Sequence, residues 1–188
     1  HNMNIVNGIL NKILIERDIL PDIIRWIPKK EAVILLGSRQ VGKTSLLYLL
    51  MQYLAGKLKV SQEDIFYLDL EIWDNLELLN KGVDEFISFI REQSPKDSKK
   101  YVFIDEIHYL DNPSNLLKIL VDHYSDKIKI FASGSSVLTI KKKFKDSLVG
   151  RKITFDIYSL NFKEFLEFKG EKSLKNIAVK YEGLDNFS

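Results

Sequence analysis

Apolar positions along this chain follow two rhythms. Near-continuous apolar blocks of strand length fall at 32–36, 65–70, 101–104, 127–132 and 152–158. The run Ala32-Val33-Ile34-Leu35-Leu36 suits a strand buried on both faces of a parallel sheet. Helical spacing fills the intervals. Residues 6–26 carry it at Ile9, Ile13, Leu14, Ile23 and Ile24, with Pro21 expected to break the segment in two. Residues 44–55 form a second helical stretch, closed by Gly56. Residues 83–92 form a third, with Phe86, Ile87, Phe89 and Ile90 facing inward. Residues 116–124 follow the start signal Asn112-Pro113-Ser114. A further helix is expected between Ser136 and Leu148, and a polar one over 171–188. Strands alternating with helices predict an α/β fold with a parallel sheet.

The turn after the first apolar block carries the strongest chemical signal. Gly37-Ser38-Arg39-Gln40-Val41-Gly42-Lys43-Thr44 reads G-x-x-x-x-G-K-T, the Walker A phosphate loop. The glycines let the backbone wrap a polyphosphate, and successive N–H groups then converge on the anion. Lys43 is expected to reach the β- and γ-phosphates, and the Thr44 hydroxyl to bind Mg²⁺. Ser45 completes the set of loop residues at the nucleotide. The helix that follows turns its N-terminus toward the phosphates.

The complementary half lies downstream. Tyr101-Val102-Phe103-Ile104 ends in Asp105-Glu106. Asp105 is the expected Walker B ligand to Mg²⁺. Glu106 is the candidate general base for an attacking water. A solvated acidic pair at a strand end is the plainer alternative. The pair points to the additional-strand ATPases, and with no N-K-x-D motif present, adenine is the expected base. Ser133-Gly134-Ser135-Ser136 follows the next strand. Ser133 or Ser135 would sense the γ-phosphate, or Ser135 or Ser136 would cap the next helix. Arg151 in Leu148-Val149-Gly150-Arg151 is a candidate arginine finger or a surface arginine paired with a carboxylate.

Six segments recur in this order in one family: GSRQVGKTSLL, YLDLE, VFIDEIHYL, SGSS, LVGR and LNFKEFL. On these the chain resembles the prokaryotic AAA-type P-loop ATPases, whose members commonly add a C-terminal winged-helix or nuclease-like region. The resemblance implies a three-layer sandwich around a five-stranded parallel sheet, with the Walker B strand separated from the phosphate-loop strand by the sensor strand. It implies ATP/ADP and Mg²⁺ as cofactors, with Lys43, Thr44, Asp105 and Glu106 at the catalytic positions and Arg151 as the arginine of the G-R pair. It divides the chain into an N-terminal helical segment at 1–30 covering the adenine side, an ATPase domain at 31–170, and a tail or linker at 171–188. The expected partners are a second copy of the chain, or DNA or protein through a further C-terminal region. One departure is Leu160-Asn161-Phe162, where the family has proline and serine before the phenylalanine.

Composition narrows the remaining classes. Absence of cysteine rules out disulfides and thiolate metal sites. Three histidines, His1, His108 and His123, are too scattered for a zinc site. A net charge of +2 is too small to indicate nucleic acid by itself. The basic run Lys141-Lys142-Lys143-Phe144-Lys145 reads as a solvated helix face or a phosphate-backbone contact. Residues 46–55 are about half a membrane span, so no membrane partner and a cytoplasmic location are expected. His1-Asn2 before Met3 reads as a tag scar. The function expected is Mg-ATP hydrolysis coupled to a domain or partner. The alternative is a slow ATP-gated binding switch.

Overall fold

The computed structural model describes residues 2–135 and 148–169. The elements run α1 (Asn2–Leu10), α2 (Leu20–Ile24), β1 (Ala32–Gly37), α3 (Lys43–Gly56), β2 (Ile65–Asp69), α4 (Trp73–Asn80), α5 (Val83–Gln93), β3 (Lys100–Asp105), α6 (Pro113–Tyr124), β4 (Ile128–Ser135), β5 (Lys152–Asp156) and α7 (Phe162–Phe168). The strands form one five-stranded sheet in the order β2-β3-β4-β1-β5, every pair parallel. The sensor strand β4 therefore lies between β3 and the phosphate-loop strand β1, as the resemblance implies.

Side-chain alternation splits the core into two layers. Ala32, Ile34 and Leu36 of β1 join Phe66, Leu68, Val102, Ile104, Ile128, Ile130 and Ala132 on the face covered by α5 and α6. Val33 and Leu35 join Ile65, Tyr67, Phe103 and Phe131 on the face covered by α1, α2 and α3. Phe103 and Phe131 face each other in register across β3 and β4, with ring centroids 4.8 Å apart. This burial on both faces explains why the strands read as continuous apolar runs. It also explains α3, whose Leu46, Leu47, Leu50, Met51 and Leu54 are buried.

Register brings the strand ends together. Gly37 pairs with Ser135, Asp69 with Asp105, and Leu36 with Asp156. The phosphate loop and the three carboxylate-bearing strand ends thus share the carboxyl edge of the sheet, where open α/β folds bind ligands.

Three points differ from the sequence reading. Helical structure over 6–26 is interrupted well before Pro21: α1 ends at Leu10 and residues 12–17 are irregular. Pro21 stands in the first turn of α2, where its missing N–H costs nothing. Ser133 and Ser135 belong to β4 rather than to a following turn. The helix α4 went unanticipated; it is short, and of its residues only Leu79 is fully buried. Ser136, the basic run 141–145 and the tail 171–188 lie outside the described residues. Among the described residues, no helix is long and apolar enough to cross a membrane.

Candidate nucleotide site

Gly37 ends β1 and opens the loop. A Cβ there would lie 2.4 Å from the Ile157 carbonyl oxygen, so only glycine permits this close approach. Ser38, Arg39 and Gln40 are exposed at the loop tip, while Val41 turns back into the core. Gln40 and Gly42 adopt positive φ, 65° and 92°. Gly42 is the N-cap of α3, and no side chain bonds the helix start. The first-turn N–H groups are left for an anion. Lys43 is buried, with Nζ donating to the carbonyls of Gly37 at 3.1 Å and Ser38 at 2.9 Å.

Asp105 stands opposite this loop, 3% exposed at the end of β3. Three hydroxyls donate to it. Thr44 Oγ1 reaches Oδ2 at 2.7 Å, Tyr67 reaches Oδ2 at 2.9 Å, and Ser133 Oγ bonds Oδ1. This set suits a carboxylate, which only accepts. Tyr48 extends the chain, its hydroxyl 3.3 Å from that of Tyr67. Burial, reinforced by the neighbouring Asp105 charge, pushes the Tyr67 phenol far above its ordinary range, so it stays a donor. Burial likewise raises the Asp69 carboxyl, with Asp105 adding to the effect.

Glu106 follows in left-handed backbone at φ 56°, sparsely populated for a residue with a side chain. Its N–H donates to Ser133 Oγ at 3.0 Å, so this one hydroxyl orients both acidic residues. Its Oε2 lies 3.0 Å from His108 Nδ1, yet neither atom makes a hydrogen bond among the described residues. Both atoms are buried, with Oε2 facing the imidazole.

The structure brings together Lys43, Thr44, Asp105, Glu106 and Ser133. Ser135 lies buried beside Gly37, and Ser45 is exposed on the first turn of α3. Arg151 is elsewhere. Its carbonyl accepts from Ala32 N at the start of β1, and its Nε donates to Asp122 Oδ1 of α6 at 2.6 Å. It therefore stands at the opposite end of the strands from its own phosphate loop.

A cavity of about 550 Å³ adjoins the loop, bounded by Gln40, Val41, Gly42 and Ser45. Ile13, Leu14 and Ile15 of the irregular segment form one wall, and Leu160, Phe165 and Phe168 another. Sequence reasoning missed Tyr67, Tyr48, Arg17 and Glu164. Only Tyr67 had a signal: strand alternation sets it two residues before Asp69 at the carboxyl end of β2.

Fold and site together define a phosphate-loop nucleotide-binding protein. A family model described as an AAA domain matches residues 29–166, and the chain belongs to that family. An uncharacterized protein of Methanocaldococcus jannaschii is 34% identical over 172 residues, covering 92% of this chain and 34% of the relative. An uncharacterized protein of Haemophilus influenzae is 28% identical, covering 91% and 42%. The chain thus spans well under half the length of these relatives. Among solved structures, ORC1 of Aeropyrum pernix in complex with DNA aligns with TM-score 0.60 at 14% identity, covering 87% of this chain and 51% of that one. Hsp104 of S. cerevisiae in complex with casein aligns with TM-score 0.62 at 19% identity, covering 88% and 30%. These likenesses establish the AAA-type fold.

Proposed function

We propose that this chain binds Mg-ATP and hydrolyses it to ADP and phosphate. The observation that carries the reading is the convergence of Lys43, Thr44, Asp105 and Glu106 at the carboxyl edge of the sheet. The loop N–H groups and the first turn of α3 bind the phosphates, and Lys43 supplies the counter-charge. The residues also fit Mg²⁺, because Thr44 and Asp105 present hard oxygen donors 2.7 Å apart. When bound, the ion neutralises phosphate charge. Glu106 accepts the proton of the attacking water; a bond forms to the γ-phosphorus and the bond to the bridging oxygen breaks. The cavity beside the loop receives the adenine. Ser133 holds Asp105 and Glu106 and senses the γ-phosphate.

A second reading has one observation in its favour. Arg151 is held by Asp122 away from its own phosphates, so a lone chain lacks this arginine at its site. A monomer would then hold ATP and turn it over slowly, as a switch. In an assembly, Arg151 would serve a neighbour's nucleotide. The ORC1 and Hsp104 structures contain DNA and a protein respectively, and the partner of this chain would engage the part of the protein beyond the AAA domain.

Calorimetric titration tests the binding step. Lys43→Ala removes the buried ammonium and should weaken ATP at least tenfold, about 1.4 kcal/mol. Unchanged affinity would end the phosphate-loop reading.

A further inference from the structure

Arg17 lies in the irregular stretch between α1 and α2 and is buried. Its donors go to three separate parts of the chain. Nε bonds Glu164 Oε1 of α7 at 2.9 Å, Nη2 bonds the Tyr158 carbonyl beyond β5 at 2.9 Å, and Nη1 bonds the Val41 carbonyl inside the phosphate loop at 3.0 Å. Glu164 is itself fixed on both oxygens. Asp18 N donates to Oε1 and Asn161 N to Oε2, each at 2.9 Å. Burial raises the Glu164 carboxyl, but these bonds and that from Arg17 outweigh it and hold it below the usual range.

The bond to Val41 has a consequence for the loop. Across a trans peptide, a carbonyl and the following N–H point in opposite directions. With the Val41 carbonyl turned out to Arg17, the Gly42 N–H is turned the other way, to the inner side of the loop. Glycine at φ 92° leaves this peptide free to rotate at small cost. A rotated peptide would aim a carbonyl at a phosphate. The guanidinium lies flush against this point: a Cβ on Gly42 would sit 3.1 Å from Nη1.

We propose that Arg17 is a positioning residue for nucleotide binding, pinning the Val41–Gly42 peptide with its N–H toward the phosphates and, through Glu164, tying that setting to α7. This rests on the phosphate-loop reading above. Lysine could not substitute, because an ammonium is a point charge without the planar fork that spans three acceptors.

The test is titration with ADP of the parent, Arg17→Lys and Glu164→Gln, with kcat and KM for Mg-ATP alongside. Arg17→Lys should weaken ADP at least tenfold and raise KM by a similar factor, with kcat at saturation within threefold of the parent. Glu164→Gln should give a smaller loss. The double variant should lose no more than Arg17→Lys alone, because both changes release the same clamp. Parent-like ADP affinity in folded Arg17→Lys would overturn the proposal, as would a fall in kcat at unchanged KM. If Arg17→Lys does not fold, Glu164→Gln decides: a threefold or greater loss of ADP affinity supports the clamp, and parent-like affinity overturns it. Failure of both to fold in saturating ADP would assign the pair to fold stability and overturn it too. A parent that binds no ADP, or whose affinity ignores Lys43→Ala, would refute the phosphate-loop reading itself and this proposal with it.

Discussion

Two buried lysines donate to pairs of backbone carbonyls at opposite ends of the sheet. Lys43 holds Gly37 and Ser38 at the carboxyl edge, and Lys129 holds Lys29 at 2.9 Å and Glu31 at 2.6 Å near the amino edge. Lys43 lies in the proposed phosphate loop. Lys129 staples the turn that leads into β1, and burial, with help from the nearby Lys99 charge, pushes its ammonium down to about 8. In the unfolded chain a lysine titrates near 10.4. Between these values the unfolded chain keeps a proton that the folded chain has released, so unfolding free energy rises with pH across this window. The rise should amount to roughly 2–3 kcal/mol by pH 10. Above that the tyrosines Tyr48, Tyr67 and Tyr101, all raised by partial or full burial, work in the opposite direction. Urea unfolding between pH 8 and 10 should show the rise in the parent and a clearly smaller one in Lys129→Met, where Lys152, also lowered by burial, still contributes. The same slope in both would assign the effect to other groups.

At the scale of elements, legibility followed burial. The five strands could be read because both their faces are covered, and α3, α5 and α6 because each has a continuous apolar stripe. The helix α4 has little such stripe, so nothing in its spacing marked it. The segment after α1 kept helical spacing, yet its residues turn to other tasks: Ile13, Leu14 and Ile15 wall the cavity, and Arg17 reaches across to α7. The site motifs were legible because phosphate loops and strand-end carboxylates need fixed local spacing. Tyr67 bonds Asp105 across 38 residues and Arg17 bonds Glu164 across 147, separations that no local pattern records. The departure at Leu160-Asn161-Phe162 also finds its reason here. Asn161 accepts from Glu164 N at 2.8 Å while Glu164 accepts from Asn161 N at 2.9 Å, a capping box that starts α7 without the family's proline and serine.

For the whole molecule, the position of Arg151 sets the next prediction. Its Nε is held by Asp122, and its pKa is raised by that bond. If Arg151 serves a neighbouring subunit, turnover per subunit should rise with protein concentration. Arg151→Ala should bind ATP normally and hydrolyse it poorly. Mixing Arg151→Ala with Glu106→Gln should restore activity, since one chain supplies the arginine and the other an intact site. Flat turnover across concentration, with an inactive mixture, would leave Arg151 as the surface partner of Asp122 and favour the switch.

The proposed hydrolysis stands on one carboxylate. Glu106 is held at the carboxyl edge by Ser133, with Oε2 buried 3.0 Å from His108 Nδ1. Glutamine preserves its shape but cannot take a proton from water. The decisive measurement is phosphate release from Mg-ATP by the parent and by Glu106→Gln, with ATP affinity measured on both. The structure as read here predicts equal affinity and at least a hundredfold slower release in the variant. Equal release from the two proteins would contradict it and leave Glu106 a charge at the end of a strand.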